Sequence, residues 1–231
     1  MLNEKCTILT ATMPNKRRNY TLVWTEEFGE SDTLNADIWS FEEGDVRNNE
    51  KQYYTKNRRE NCRIENGKLI LEARKEAFEG YDYTSASITT KNSKSFLYGR
   101  IEVKAKLPQG RGIWPAIWKK VHGNIHTQAY NHNLETNKGA YIVCDSLHTD
   151  FHVFAIDWTP EKIDFFLDEQ IYFSFRNDNE LNSDTWPFDQ PQYLLINLAV
   201  GGFWGGKQGI DSTIFPQKFE IDYVRYYKID S

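Results

Sequence analysis

Apolar and polar residues exchange places at every second position over much of the chain, and turn residues separate the runs. That period belongs to strands buried on one face, and helical periodicity is weak throughout. Leu69–Ala73 sets Leu69, Leu71 and Ala73 on one side and Ile70 and Glu72 on the other. Tyr98–Leu107 is the clearest case. Ile101, Val103, Ala105 and Leu107 oppose Arg100, Glu102, Lys104 and Lys106, and Pro108-Gln109-Gly110 turns the chain. Tyr20–Trp24 and Ser85–Thr90 are further predicted strands, with Asp32–Trp39 a loop. Ile113–Trp118 begins another and carries Trp114, Ala116 and Trp118 on one face. In Val121–Gln128 the residues His122, Asn124, His126 and Gln128 share a face, the mark of a wet groove rather than a core. Phe151–Trp158 and Lys162–Leu167 are predicted to pair as a hairpin, followed by Ile171–Phe175. Tyr193–Val200 has the most buried pattern, with Leu194, Ile196, Leu198 and Val200 together, and Phe219–Tyr227 closes the chain.

No linker, repeat or shift in composition divides these segments. The reading is one all-β domain over residues 1–231, with 1–19 as an extended N-terminal segment; 231 residues suffice for one filled core. Composition changes this picture mainly through its aromatics: 7 Trp, 13 Tyr and 14 Phe. Core filling explains many of them. Several tryptophans lie beside glycine and polar residues, however, which favours a partly exposed cleft. The net charge of -5, with cations scattered, offers no track for nucleic acid. No apolar run is long enough to span a bilayer. The first residues, Met1-Leu2-Asn3-Glu4-Lys5-Cys6, lack the apolar stretch of a secretion signal. Cys6, Cys62 and Cys144 form neither a disulfide framework nor a metal-binding spacing, although one pair could bridge in an oxidising compartment.

Four segments could carry chemistry. Gly112-Ile113-Trp114-Pro115-Ala116-Ile117-Trp118 offers two indole rings as a stacking platform, or two core tryptophans. Asn48-Asn49-Glu50 could hold sugar hydroxyls, or form a turn. Gly201-Gly202-Phe203-Trp204-Gly205-Gly206 has glycines that permit tight turns presenting Trp204, and it lacks the strand–helix context of a nucleotide loop. His122 and His126 lie too far apart on a strand to share a metal without further ligands, so a hydrogen bond to sugar suits His126 better.

Taken in order, these segments resemble family 16 of the glycoside hydrolases, in particular its bacterial laminarinase-type endo-β-1,3-glucanases. The resemblance runs from Leu22-Val23-Trp24-Thr25-Glu26-Glu27-Phe28 through Asn48-Asn49-Glu50-Lys51-Gln52, Tyr98–Pro108 and the tryptophan segment. It continues in Val121-His122-Gly123, Trp186-Pro187-Phe188-Asp189 and Asn197–Gly202, and ends in Glu220-Ile221-Asp222-Tyr223-Val224-Arg225. It implies a concanavalin-like jelly-roll sandwich of two antiparallel sheets with an open concave cleft. It also implies retaining hydrolysis of internal bonds in a β-glucan such as laminarin, or in mixed-linkage glucan, and an extracellular or periplasmic setting. The cleft residues it assigns are Asn48, Glu50, Trp114, Trp118, His126, Asn197 and Trp204. No cofactor for chemistry is implied. A structural Ca2+ is, held by the Asp222 carboxylate and by the backbone carbonyls of Glu27 and Gly44.

The family's catalytic strand, Glu-x-Asp-x-x-Glu, belongs between Trp118 and His122. Here only Lys119-Lys120-Val121 stands, short of the family by about two dozen residues, a strand with its loop. No catalytic residue can therefore be named. Glu220–Arg225 ends in arginine, Asp157 and Asp164 flank a hairpin turn, and Glu102 has no carboxylate partner at a defined spacing. The chain as it stands is expected to be inactive or to bind glucan without turnover. Ile113–Trp118 could close the gap by pairing directly with Val121–Gln128; otherwise a sheet edge is left open.

Overall fold

The structure, a computed structural model, describes residues 19–29, 32–114, 119–131 and 134–230. Fifteen strands and one helical turn make up the described fold. They are β1 (Tyr20–Glu26), β2 (Ser40–Phe41), β3 (Gln52–Tyr54), β4 (Cys62–Glu65), β5 (Lys68–Phe78), β6 (Tyr81–Ser85), β7 (Ser87–Thr89) and β8 (Gly99–Lys106). After them come β9 (Lys120–Ile125), β10 (Lys138–Val143), β11 (His152–Trp158), β12 (Lys162–Leu167), β13 (Gln170–Arg176), β14 (Leu195–Asn197), α1 (Gly202–Gly205) and β15 (Gln217–Ile229).

One large sheet runs β13-β12-β11-β8-β15-β5-β6-β3, with β1 added on β15 and β4 on β5. Its pairings are antiparallel except that of β3 with β6. The predicted hairpin forms in register, Trp158 opposite Ile163 and Asp157 opposite Asp164. The alternation in β8 explains its two faces. Ala105 is fully buried, while Arg100, Lys104 and Lys106 pair with Asp157, Asp222 and Glu220. Glu220 and Asp222 thus belong to an ion-paired face of the closing strand, and Asp164 is held by Lys162 and Ser174.

The second layer is in two pieces. One is β14-β7-β2 and the other is β10-β9, and among the described residues no ladder joins them. Ile88 of the first piece and the adjoining Leu198, Val200 and Ile113, with Val121 and Ile142 of the second, meet Leu69, Leu71, Ala105 and Ile221 of the large sheet in one core. Each such fully buried aliphatic side chain stabilises the sandwich by about 1.5–3 kcal/mol. The all-β, two-layer jelly-roll reading is thus observed, with its smaller sheet divided.

Several strands differ from expectation, each for a local reason. Tyr193–Val200 pairs as a strand only over Leu195–Asn197, and Val200 makes a separate bridge with Ile113. Val121–Gln128 ends as a strand at Ile125, because the Thr127 N–H turns to the Tyr130 carbonyl. His126 therefore lies just past the end of the strand. Ile113 and Trp114 do not extend as a strand: Gly112 takes φ 91°, and the Trp114 N–H bonds the Ala199 carbonyl. Direct closure of Ile113–Trp118 on Val121–Gln128 is not what the described residues do. Ile113 and Trp114 go to Val200 and Ala199, while β9 pairs with β10. Residues 115–118, including Ala116 and Trp118, lie outside the described residues.

Candidate functional site

The centre of the site is Glu50, 5% exposed. It comes just before β3, where alternate side chains point the same way, so Gln52 and Tyr54 follow it on one face. Its carboxylate accepts hydrogen bonds from Asn48 Nδ2 at 3.2 Å, Gln52 Nε2 at 2.8 Å and the Tyr54 hydroxyl at 2.8 Å. Asn197 Nδ2 donates to the same Tyr54 hydroxyl at 2.7 Å. Asn48, Glu50 and Asn197 are therefore one network, linked through Tyr54. Burial and the neighbouring Glu50 charge push the Tyr54 phenol well above its ordinary value, so it stays a donor. Arg47 lies over the Tyr54 ring, 5.9 Å from its centroid, and pairs with Glu42.

Backbone conformation makes this cluster possible. Asn48 and Asn49 both take positive φ, 57° and 48°, which asparagine tolerates better than most residues. The loop is tied to the glycine-rich segment by a bridge from Glu50 to Gly201 and by the Phe203 N–H to the Asn48 carbonyl. The predicted turn and the predicted polar site are thus the same structure.

The aromatic half adjoins it. Trp114 Nε1 donates to the Gly201 carbonyl at 2.8 Å, and its ring meets Trp204 edge-on with centroids 5.1 Å apart. Trp204 in turn meets His122, 4.8 Å away at 88°. Trp204 is 38% exposed, so part of its ring remains open to a ligand. A β-carbon on Gly205 would fall 1.6 Å from Trp114 Nε1, so only glycine allows the two segments to pack here. Burial, then the Lys120 ammonium, lowers His122 and keeps its imidazole neutral near pH 7.

Of the sequence-predicted cleft residues, Asn48, Glu50, Trp114, Asn197 and Trp204 fall in these two linked groups. His126 lies instead beside Tyr193 and Leu194 on a separate hollow of about 210 Å³. Gln52, Tyr54, Arg47 and His122 were not among the predicted contacts. The spacing Glu50, Gln52, Tyr54 along one strand face was the available signal for two of them.

A hollow separates the two pieces of the smaller sheet. It measures about 380 Å³ and is walled by Leu195, Ile196 and Asn197 of β14, Val121 and His122 of β9, and the inner face of β8, β11 and β12. Among the described residues, no backbone ladder reaches across it. Among the described residues, no carboxylate lines the neighbouring cleft beside Trp204 and His122.

The donors expected for calcium, Asp222, Glu27 and Gly44, would all be hard oxygens, as that ion requires. In this fold the Asp222 carboxylate holds Lys104 Nζ at 2.7 Å, and the Gly44 carbonyl accepts the Tyr54 N–H at 3.2 Å. The Glu27 side chain pairs with Arg225. Among the described residues, no group of three or more His, Cys, Asp or Glu side chains is placed to hold a metal.

The profile of glycosyl hydrolases family 16 matches residues 49–123 and 118–225, in two segments that meet where the hollow lies. The β-glucanase of Rhodothermus marinus is 42% identical over 258 aligned positions, covering 96% of this chain and 90% of that protein. Those 258 positions exceed the 231 residues present, so at least 27 of them face a gap in this chain. The glucan endo-1,3-beta-glucosidase of Cryptopygus antarcticus is 32% identical, covering 89% of this chain and 91% of that protein. Among solved structures, the laminarinase from Rhodothermus marinus superposes with a TM-score of 0.88 at 40% identity, over 93% of this chain and 99% of the other.

Proposed function

The chain belongs to glycosyl hydrolase family 16, and from that premise we propose that it binds β-glucan, laminarin-like β-1,3-glucan above all, without hydrolysing it. The observation that carries the reading is the conjunction of a formed cleft with a divided sheet. Asn48 and Asn197 present amide groups to sugar hydroxyls, and the buried Glu50 carboxylate orients Asn48 directly and Asn197 through Tyr54. Trp204, supported by Trp114, presents an apolar face to a pyranose ring.

Retaining hydrolysis needs two carboxyl groups facing each other across the bond, about 5–5.5 Å apart. One must attack the anomeric carbon as an anion, and the other must carry a proton to the leaving oxygen. Three features support the loss of that pair: the hollow between β14 and β9, the two-segment family match, and the unfilled aligned positions. Glu50 cannot replace it, because three donors hold its carboxylate. A polymeric glucan is met outside the cytoplasm, which places the proposed role there.

Purified chain incubated with laminarin should release no reducing ends, while calorimetry with laminari-oligosaccharides should detect binding that Trp204→Ala weakens. Inserting the corresponding Rhodothermus marinus segment between Trp118 and His122 should restore hydrolysis. Reducing-end release by the unaltered chain would overturn the inactive half of the reading, and absent binding the other half.

We further propose that Asp222, with the backbone carbonyls of Glu27 and Gly44, forms a structural calcium site. Binding requires Lys104 to turn away from Asp222. That pair is about a third exposed, so releasing it costs little. Millimolar Ca2+ should raise the thermal midpoint relative to chelator, and Asp222→Asn should abolish the rise. A midpoint indifferent to calcium rejects the site.

A further inference from the structure

Beyond the Glu50 network the cleft changes character. A depression of about 440 Å³ opens beside Trp204, and its rim carries Arg111, Lys119, Lys120 and Lys207, with His122 and His148. Among the described residues no aspartate or glutamate lines it, although the chain as a whole has a net charge of -5. Lys119 holds Asp145 at 2.7 Å, but both side chains are more than half exposed and the pair is well screened. Arg111 feels the charge of Asp211, whose carboxylate accepts the Thr213 hydroxyl at 2.6 Å. Lys120 lies over the Tyr141 ring, 4.0 Å from its centroid. Among the described residues, Arg111, Lys120 and Lys207 form no salt bridge.

Concave walls lined by charges of one sign concentrate their field inside the depression, where an anion gains more than on an open surface. Charge and ring occur together here, since Trp204 and His122 border the same depression. A neutral glucan would use the ring and leave the cations without partners. An acidic sugar would use both.

We propose that this depression binds an acidic saccharide unit, one bearing a carboxylate or a sulfate ester, with Arg111, Lys120 and Lys207 as counter-ions and Trp204 as the ring platform. The inference rests on the saccharide reading of the cleft and narrows its ligand class.

Calorimetry at low and high salt would use three probes: neutral laminaritetraose, its sulfated form, and a β-1,3-gluco-oligosaccharide ending in glucuronate. At low salt at least one acidic probe should bind about tenfold tighter than the neutral one, and added salt should shrink the margin. Which acidic probe leads distinguishes sulfate from carboxylate. The double variant Arg111→Gln, Lys207→Gln should lose the preference, while Arg111→Lys, Lys207→Arg should keep it. Inorganic sulfate alone should bind more weakly than the sulfated sugar. Equal affinity for neutral and acidic probes, a preference that survives the double glutamine variant or high salt, or sulfate binding as tightly as the sugar overturns the proposal. Neutral binding without acidic preference rejects this inference alone. Acidic binding without neutral binding rejects the neutral-glucan reading and leaves this one standing. Binding of no probe rejects both.

Discussion

Tyr54 holds the polar half of the cleft together. It is fully buried, donates to Glu50 and accepts from Asn197, so one hydroxyl orients two candidate ligand-binding groups. Tyr54→Phe removes the hydroxyl and leaves the Asn197 amide and one Glu50 oxygen each short of a partner. Unfolding in urea should show a loss of about 1–3 kcal/mol. Affinity for laminari-oligosaccharide should fall with it, because Asn197 is no longer fixed. Unchanged stability would mean that water or another side chain replaces the hydroxyl without cost. Gly205 is equally exacting, since any side chain there meets the Trp114 indole. Glu50 and Asn197 were each legible in the chain as candidate groups. Their connection through Tyr54 was not, because it joins residues 143 positions apart.

At the scale of elements, the divided layer governs behaviour. Among the described residues, β14 pairs only with β7 and β9 only with β10, so each presents an open edge to the hollow. Open edges leave backbone groups to solvent and are the first part of a sheet to exchange. Hydrogen exchange should therefore be faster in Leu195–Asn197 and Lys120–Ile125 than in Gly99–Lys106 and the core of Gln217–Ile229. The latter two strands pair with each other and each has a further neighbour. Uniform protection across all four would show that the hollow is closed in solution. The alternation of β8 was readable because most of one face is buried and the other carries ion pairs. Strand ends near Ile125 and Asn197 were not readable, since turns and long-range bridges set them.

Over the whole molecule, ionisation confines stability from both sides. Tyr54 and Tyr172 are pushed above the ordinary phenol value chiefly by burial, and Tyr223 is pushed up to about 12 by burial and the Glu102 charge. A raised folded pKa contributes stability that is complete below the unfolded value near 10 and is lost as pH rises beyond it. Glu76 moves the other way, lowered to about 2, chiefly by its hydrogen bond with Arg58 and against a burial penalty. Its contribution is present above the ordinary carboxylate range and is lost as pH falls toward 2. The thermal midpoint should therefore decline above pH 10 and below about pH 4.5. Glu76→Gln should flatten the acid limb; a midpoint constant from pH 9 to 11.5 would contradict the alkaline limb.

The alternating pattern by itself determined an all-β sandwich, because burial on one face of a strand writes a period of two into the chain. The ordered motifs from Leu22 to Arg225 carried the family resemblance, and Lys119-Lys120-Val121 stood where that resemblance expects the catalytic strand. Only the tertiary structure decided how the chain is arranged around that point. Ile113 and Trp114 turn to Val200 and Ala199, β9 turns to β10, and a hollow is left between two half-sheets. It also decided that Asn197 reaches Tyr54 and that four cations ring the depression beside Trp204. Periodicity is a local property of neighbouring residues, whereas pairing across a sheet and the field inside a cleft come from residues that only folding brings together.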